Sequence, residues 1–149
     1  MKALLYIALF MSAQVDVDQV RSLFTVAHED KAANEKLLEF TDGYTLDYKP
    51  VIYAYHAAAI MTMANHISWP GTKLSYFSEG KEKLEKVVKA YPDNVEIRYI
   101  RFAVQYGSPT FLGYRSDLDV DRNFVLEHLD AADLPAEQVL LIKATVNQK

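Results

Sequence analysis

The chain has 149 residues, is 50% hydrophobic and 24% charged, contains no cysteine and carries a formal net charge of −4. A chain of this length buries about 70% of its unfolded surface, enough for one domain with its own core. The missing cysteine excludes a disulfide framework, a thiolate metal site and a cysteine nucleophile, and the acidic balance excludes a basic field that would draw in nucleic acid or an anionic membrane.

In chain order, a single Lys2 precedes an uncharged apolar run, Ala3 to Met11, followed by Ser12-Ala13-Gln14. These are the parts of a secretory signal, although Met11 is bulky for the third position before a cut. The run is too short to span a bilayer, which needs about 20 apolar residues. The expectation is a signal peptide over 1–13 and a single helical-repeat domain over 14–149, located in the periplasm or secreted, with no stable membrane insertion and no Cys for a lipid anchor. The alternative is a cytoplasmic protein whose uncleaved N-terminus is a buried first helix.

The remainder predicts helices. Asp16 and Asp18 suit a helix N-terminus, and Val20, Leu23, Phe24 and Ala27 repeat at helical spacing. His28-Glu29-Asp30 lies between two helices and helps cap the second, which runs over 31–40 with Leu37, Leu38 and Phe40 inward and closes at Thr41-Asp42-Gly43. Tyr44 to Tyr48 is the one possible strand, read as a loop. Pro50 starts a long helix to about His66, in which His56 shares a face with Ile52, Ala59, Ile60 and Met63 and reads as a hydrogen-bonded core histidine.

Pro70 opens the region of the next helix, over about 73–91. Its inner face is Phe77, Gly80, Leu84, Val87, Val88 and Tyr91, and its outer face pairs Glu79–Lys83, Glu82–Lys86 and Glu85–Lys89 at four-residue spacing. A helix to about Gln105 follows, capped at Pro92-Asp93-Asn94. It carries Tyr99, Phe102 and Tyr106 on one side and Ile97, Ile100 and Val104 on another, the pattern of a helix sandwiched in mid-fold. A loop over 108–116 leads to a helix near 119–131. Leu134-Pro135 starts the last, with Val139, Leu140, Ile142 and Val146 as its apolar positions.

Pro50, Pro92 and Pro135 lie 42 and 43 residues apart, each at a helix start, and Pro70 and Pro109 fall in the turns between. Helical hairpins at a fixed period bury their apolar sides by stacking on neighbours. Gly80-x3-Leu84-x2-Val87-x4-Pro92 resembles the second helix of a tetratricopeptide repeat, and Asp93-Asn94 resembles the start of the next repeat. The likeness covers about 80–94; the Trp and Gly-Tyr positions of the first helix are not matched in register. The stretch from Ile97 to Phe102, continuing to Phe111-Leu112-Gly113-Tyr114, resembles small uncharacterised exported bacterial proteins and implies no function. The helix pattern predicts an all-α chain of about seven helices in antiparallel hairpins stacked as a short α-solenoid, and the repeat resemblance implies a stacked array that holds a peptide or protein in a groove.

Candidate chemistry is sparse. Asp117-x-Asp119-x-Asp121-x-Asn123 has the opening spacing of a calcium loop, but Arg122 replaces the turn glycine and His128 the closing Glu, so helix capping is the better reading. His28, His56, His66 and His128 show no zinc spacing, and no nucleophile elbow, phosphate loop or dinucleotide glycine pattern is present. No catalytic, metal or cofactor residue is assigned. Of ten Tyr, seven Phe and one Trp, most fill the layers between hairpins. Trp69, Phe111 and Tyr114, on equivalent turns, would gather at one edge with Arg98 and Arg101 nearby as an aromatic and cationic partner-binding surface. The expected function is a non-catalytic scaffold or adaptor of the bacterial envelope. The alternatives are a small hydrolase-like enzyme with its site in an aromatic-lined concavity, and a cytosolic adaptor.

Overall fold

The computed structural model describes residues 14–148, so the expected signal segment 1–13 lies outside the described residues. Seven α-helices follow one another: α1 (Val17–Val26), α2 (Lys31–Thr41), α3 (Pro50–Met63), α4 (Pro70–Ala90), α5 (Val95–Gly107), α6 (Leu118–His128) and α7 (Ala136–Val146). Short 3-10 turns extend three of the connections, at Ala64–His66, Thr110–Leu112 and Leu129–Ala131. The described residues form no strand. Tyr44 to Tyr48 is a tight loop closed by one bridge between Thr45 and Tyr48, with the Tyr44 and Tyr48 rings stacked.

The helix starts follow capping chemistry. Asp16, Asp30 and Asn94 each accept a backbone N–H of the first turn of α1, α2 and α5, satisfying a donor that has no partner within the helix. It is Asp30, then, that caps α2, while His28 is exposed beside Glu29. Pro50 and Pro70 occupy the first positions of α3 and α4, where their missing N–H costs nothing. Asp117 stands at the N-cap of α6, but its carboxylate accepts from Gln105 and Ser116 instead of from the helix.

Neighbours in sequence are neighbours in space. Within pairs, α1 packs on α2, α3 on α4 and α5 on α6; between pairs, α2 meets α3, α4 meets α5 and α6 meets α7; and the odd helices contact one another in the order α1, α3, α5, α7. Two helices are central. On α3, Ile52, Ala54, Tyr55, Ala57, Ala58, Ala59 and Met61 are buried almost all round, as an apolar helix in mid-core must be. On α5, Ile97, Ile100 and Phe102 are fully buried against α3, α4, α6 and α7. Each such large side chain contributes about 1.5–3 kcal/mol of transfer free energy.

The buried face of α4 is Phe77, Gly80, Leu84, Val87 and Val88, as its periodicity predicts. Gly80 is there because α3 comes too close for a side chain: an added Cβ would lie 2.6 Å from the Ala57 carbonyl oxygen and 2.8 Å from the Met61 nitrogen. Glu79–Lys83 and Glu82–Lys86 pair on the outer face. Glu85 departs from the expected pairing with Lys89 and turns toward Arg101 of α5. No helix among the described residues is long and apolar enough to cross a membrane.

Candidate functional site

The five residues expected at one surface separate into two kinds. Trp69 and Phe111 are exposed, at 72% and 86%. Arg98, Arg101 and Tyr114 are drawn inside. Three residues apart on α5, the two arginines share a face that points at α6. There Asp121, fully buried, accepts from Arg98 Nε through Oδ1 and from Arg101 Nε through Oδ2 at 2.6 Å, with Arg101 Nη2 adding a bond to Oδ1 at 2.9 Å. Arg101 Nη1 donates to Glu85 at 3.0 Å, and the Tyr114 hydroxyl donates to the other oxygen of Glu85. These two tertiary donors explain why Glu85 leaves Lys89: a partly desolvated guanidinium and a buried hydroxyl bind it more strongly than an exposed ammonium does.

The cluster is closed at its centre, Asp121, and half-open at Glu85. Burial raises the Tyr114 hydroxyl pKa, and the Glu85 charge raises it further, so it stays a donor. Burial opposes the charge on Arg101, but Asp121 more than offsets it, so the guanidinium stays ionised. The Arg98 guanidinium also lies over the Phe124 ring and donates to the Pro92 carbonyl. The arginines expected to greet a partner therefore hold α4, α5 and α6 together. The carboxylates of the calcium-like spacing are likewise engaged by cations, Asp119 by Arg122 and Asp121 by both arginines. Among the described residues no group of three or more His, Asp or Glu side chains is placed to hold a metal ion.

The histidines are fixed by neighbouring oxygens. The Thr41 hydroxyl lies 2.7 Å from the Leu37 carbonyl and 2.9 Å from His56 Nδ1, and donation to the carbonyl leaves its oxygen to accept from the Nδ1–H tautomer of the imidazole. Burial lowers the His56 pKa, keeping it neutral near pH 7. His66 donates to the Ala27 carbonyl and His128 to the Phe124 carbonyl.

The concave surface lies elsewhere. A groove of about 470 Å³ runs between α1, the start of α5 and the α6–α7 connection, lined among others by Arg21, Asp93, Glu96, His128 and Asp133. A second, of about 430 Å³, runs between α1 and α7, lined among others by Asp18, Val26, Pro135, Glu137 and Gln138. Arg21 lines both and joins them. It is itself held from below: Nε and Nη2 donate to the two oxygens of Glu96 at 2.7 and 2.8 Å, and Nη1 donates to Asp18 at 2.7 Å. The fully buried Tyr55 hydroxyl also donates to Glu96, so α1, α3 and α5 meet at one carboxylate. Hydrogen bonds to Glu96 raise the Arg21 pKa despite burial, so the guanidinium stays charged.

Neither groove is lined by Phe, Tyr or Trp, so neither is the aromatic-lined concavity of the alternative, hydrolase-like reading. Nothing in the local pattern singles out Arg21, Asp93, Asp133, Glu137 or Gln138. The usable signal is positional: each is on an odd helix or at its entrance, the set that a hairpin stack brings to one side. No protein-family model matches the chain, and comparison with curated proteins and with solved structures finds no match.

Proposed function

We propose that the chain is a non-catalytic protein- or peptide-interaction adaptor, a short tetratricopeptide-like stack that holds an extended segment of its partner in the joined grooves between α1 and α7. The contact order supports the stack: pairs pack internally, each second helix meets the next first helix, and the odd helices contact in series. One observation carries the binding reading. The joined grooves are lined by α1, α7, the entrances of α3 and α5 and the α6–α7 connection, while Arg98 and Arg101, expected to serve a partner beside Trp69 and Phe111, are consumed by Asp121 and Glu85. The role as an envelope protein rests on the signal-like run over 1–13, and the intact mass of the protein from its native cell tests it: a chain that retains Met1 contradicts export.

The groove reading is tested by selecting displayed random peptides on the full chain and measuring each by fluorescence anisotropy. Thr25→Trp, which places a bulky ring in the groove lined by Thr25, is expected to abolish binding of the selected peptides, and Trp69→Ala with Phe111→Ala to leave it intact. The reverse pattern overturns the groove in favour of the edge.

A further inference from the structure

Gln138 differs from every other polar side chain in the groove. It is only 7% exposed, lines the groove between α1 and α7, and forms no hydrogen bond with another described residue through its amide. The sealed side-chain polar atoms left without a partner among the described residues are Asn34 Oδ1 and Gln105 Oε1, so the Gln138 amide opens to the groove and is available as a hydrogen-bond partner. A primary amide offers a carbonyl acceptor beside N–H donors, the complement of one peptide unit.

The charges around it are unbalanced. The joined grooves are lined by Asp18, Glu96, Asp93, Asp133 and Glu137, against the single guanidinium of Arg21. Arg21 is spent on Asp18 and Glu96. Asp93, Asp133 and Glu137 have no ion-pair partner among the described residues, whereas the carboxylates of the α4–α5–α6 cluster are all matched. Val26, Pro135 and Leu141 add an apolar strip beside them, suited to the aliphatic stem of a lysine or arginine whose head reaches a carboxylate.

We infer that the occupant of the groove is an extended segment bearing lysine or arginine side chains, its backbone hydrogen-bonded by the Gln138 amide and its cations received by Asp133, Glu137 and Asp93. This rests on the groove reading above and names the class of partner it takes. An anionic segment would face the same carboxylates with no free cation to meet it, which like-charge repulsion disfavours.

The test uses the full chain and three labelled ten-residue peptides of common apolar pattern, with charged positions filled by Lys and Arg, by Glu, or by Ser and Gln. The basic peptide is expected to bind saturably and to weaken as salt rises. Gln138→Ala is expected to weaken it about fivefold to tenfold, the worth of one to two hydrogen bonds, with the salt slope unchanged. Asp133→Asn with Glu137→Gln, both at exposed positions, is expected to weaken it and flatten the slope. Equal or tighter binding of the acidic or uncharged peptide, still abolished by Thr25→Trp, overturns the charge inference and leaves the groove standing. Binding of the basic peptide that ignores all of these variants marks attraction to the acidic surface at large and overturns the inference. If none of the three peptides binds while Thr25→Trp leaves peptides selected from the display unaffected, the groove and the inference both fail.

Discussion

Two sites in this protein are built from the same materials, arginine, carboxylate and tyrosine, and come to different ends. Between α4, α5 and α6, Arg98, Arg101, Glu85, Asp117, Asp121 and Tyr114 satisfy one another, with Asp121, Arg101 and Tyr114 buried and Glu85 and Asp117 at the half-exposed margin. Between α1, α5 and α7, Arg21, Glu96 and Tyr55 do the same at the floor of a groove, but carboxylates and a glutamine amide are left over above them. Saturated polar groups tie helices together; unsaturated ones in a concavity are what a partner can use. The difference teaches that residue type alone assigns neither role.

The largest effect is expected where closure is complete. Asp121→Ala removes the fully buried carboxylate shared by two guanidiniums and should cost about 3–5 kcal/mol in urea unfolding, even though Arg101 keeps Glu85 and Arg98 keeps the Pro92 carbonyl. Glu96→Ala should cost less, about 1–3 kcal/mol: the buried Tyr55 hydroxyl loses its acceptor, but Arg21 keeps Asp18 and reaches groove water. Equal losses would break the contrast between the closed and the open cluster.

Gly80→Ala comes next, beside the closed cluster. Although alanine is the better helix former by about 1 kcal/mol, overpacking against the Ala57 carbonyl and Met61 should leave the variant destabilised by about 1–3 kcal/mol. A raised melting temperature would contradict the close approach of α3 and α4. For His56, folding lowers the pKa below its unfolded value near 6.5, so the folded state binds its proton less readily than the unfolded chain. Its contribution is therefore present above about pH 6.5 and lost as pH falls below that through the folded value. His56→Gln should flatten the unfolding midpoint against pH in that acid range, and an unchanged profile would argue against the buried neutral imidazole. Smallest of all, Lys86→Ala should move no midpoint measurably. Its 2.6 Å pair with Glu82 matches the Arg101–Asp121 distance but lies in water, where such pairs contribute little.

Much of the fold was legible because helices declare themselves locally. The face Phe77, Gly80, Leu84, Val87 and Val88 is one period on one helix, and the capping by Asp30 and Asn94 depends on three residues of backbone. The partner of Arg98 lies 23 residues away and that of Arg21 lies 75 away, so both depend on how hairpins turn and stack. Glu85 shows the same limit from the other side: the four-residue spacing to Lys89 is real, but Arg101 and Tyr114, arriving from α5 and the loop after it, outcompete it. Gln138 carries no sequence signal, since only the approach of α1 gives its amide a groove to face.

The most direct test of the groove is amide chemical-shift mapping of the full chain as the lysine- and arginine-bearing peptide is added. Perturbations are expected at the Gln138 side-chain amide and along α1, Asp93–Glu96 and Asp133–Leu141, with the Trp69 indole and Phe111 unmoved. Shifts gathered at Trp69 and Phe111, with Gln138 silent, would contradict the groove reading.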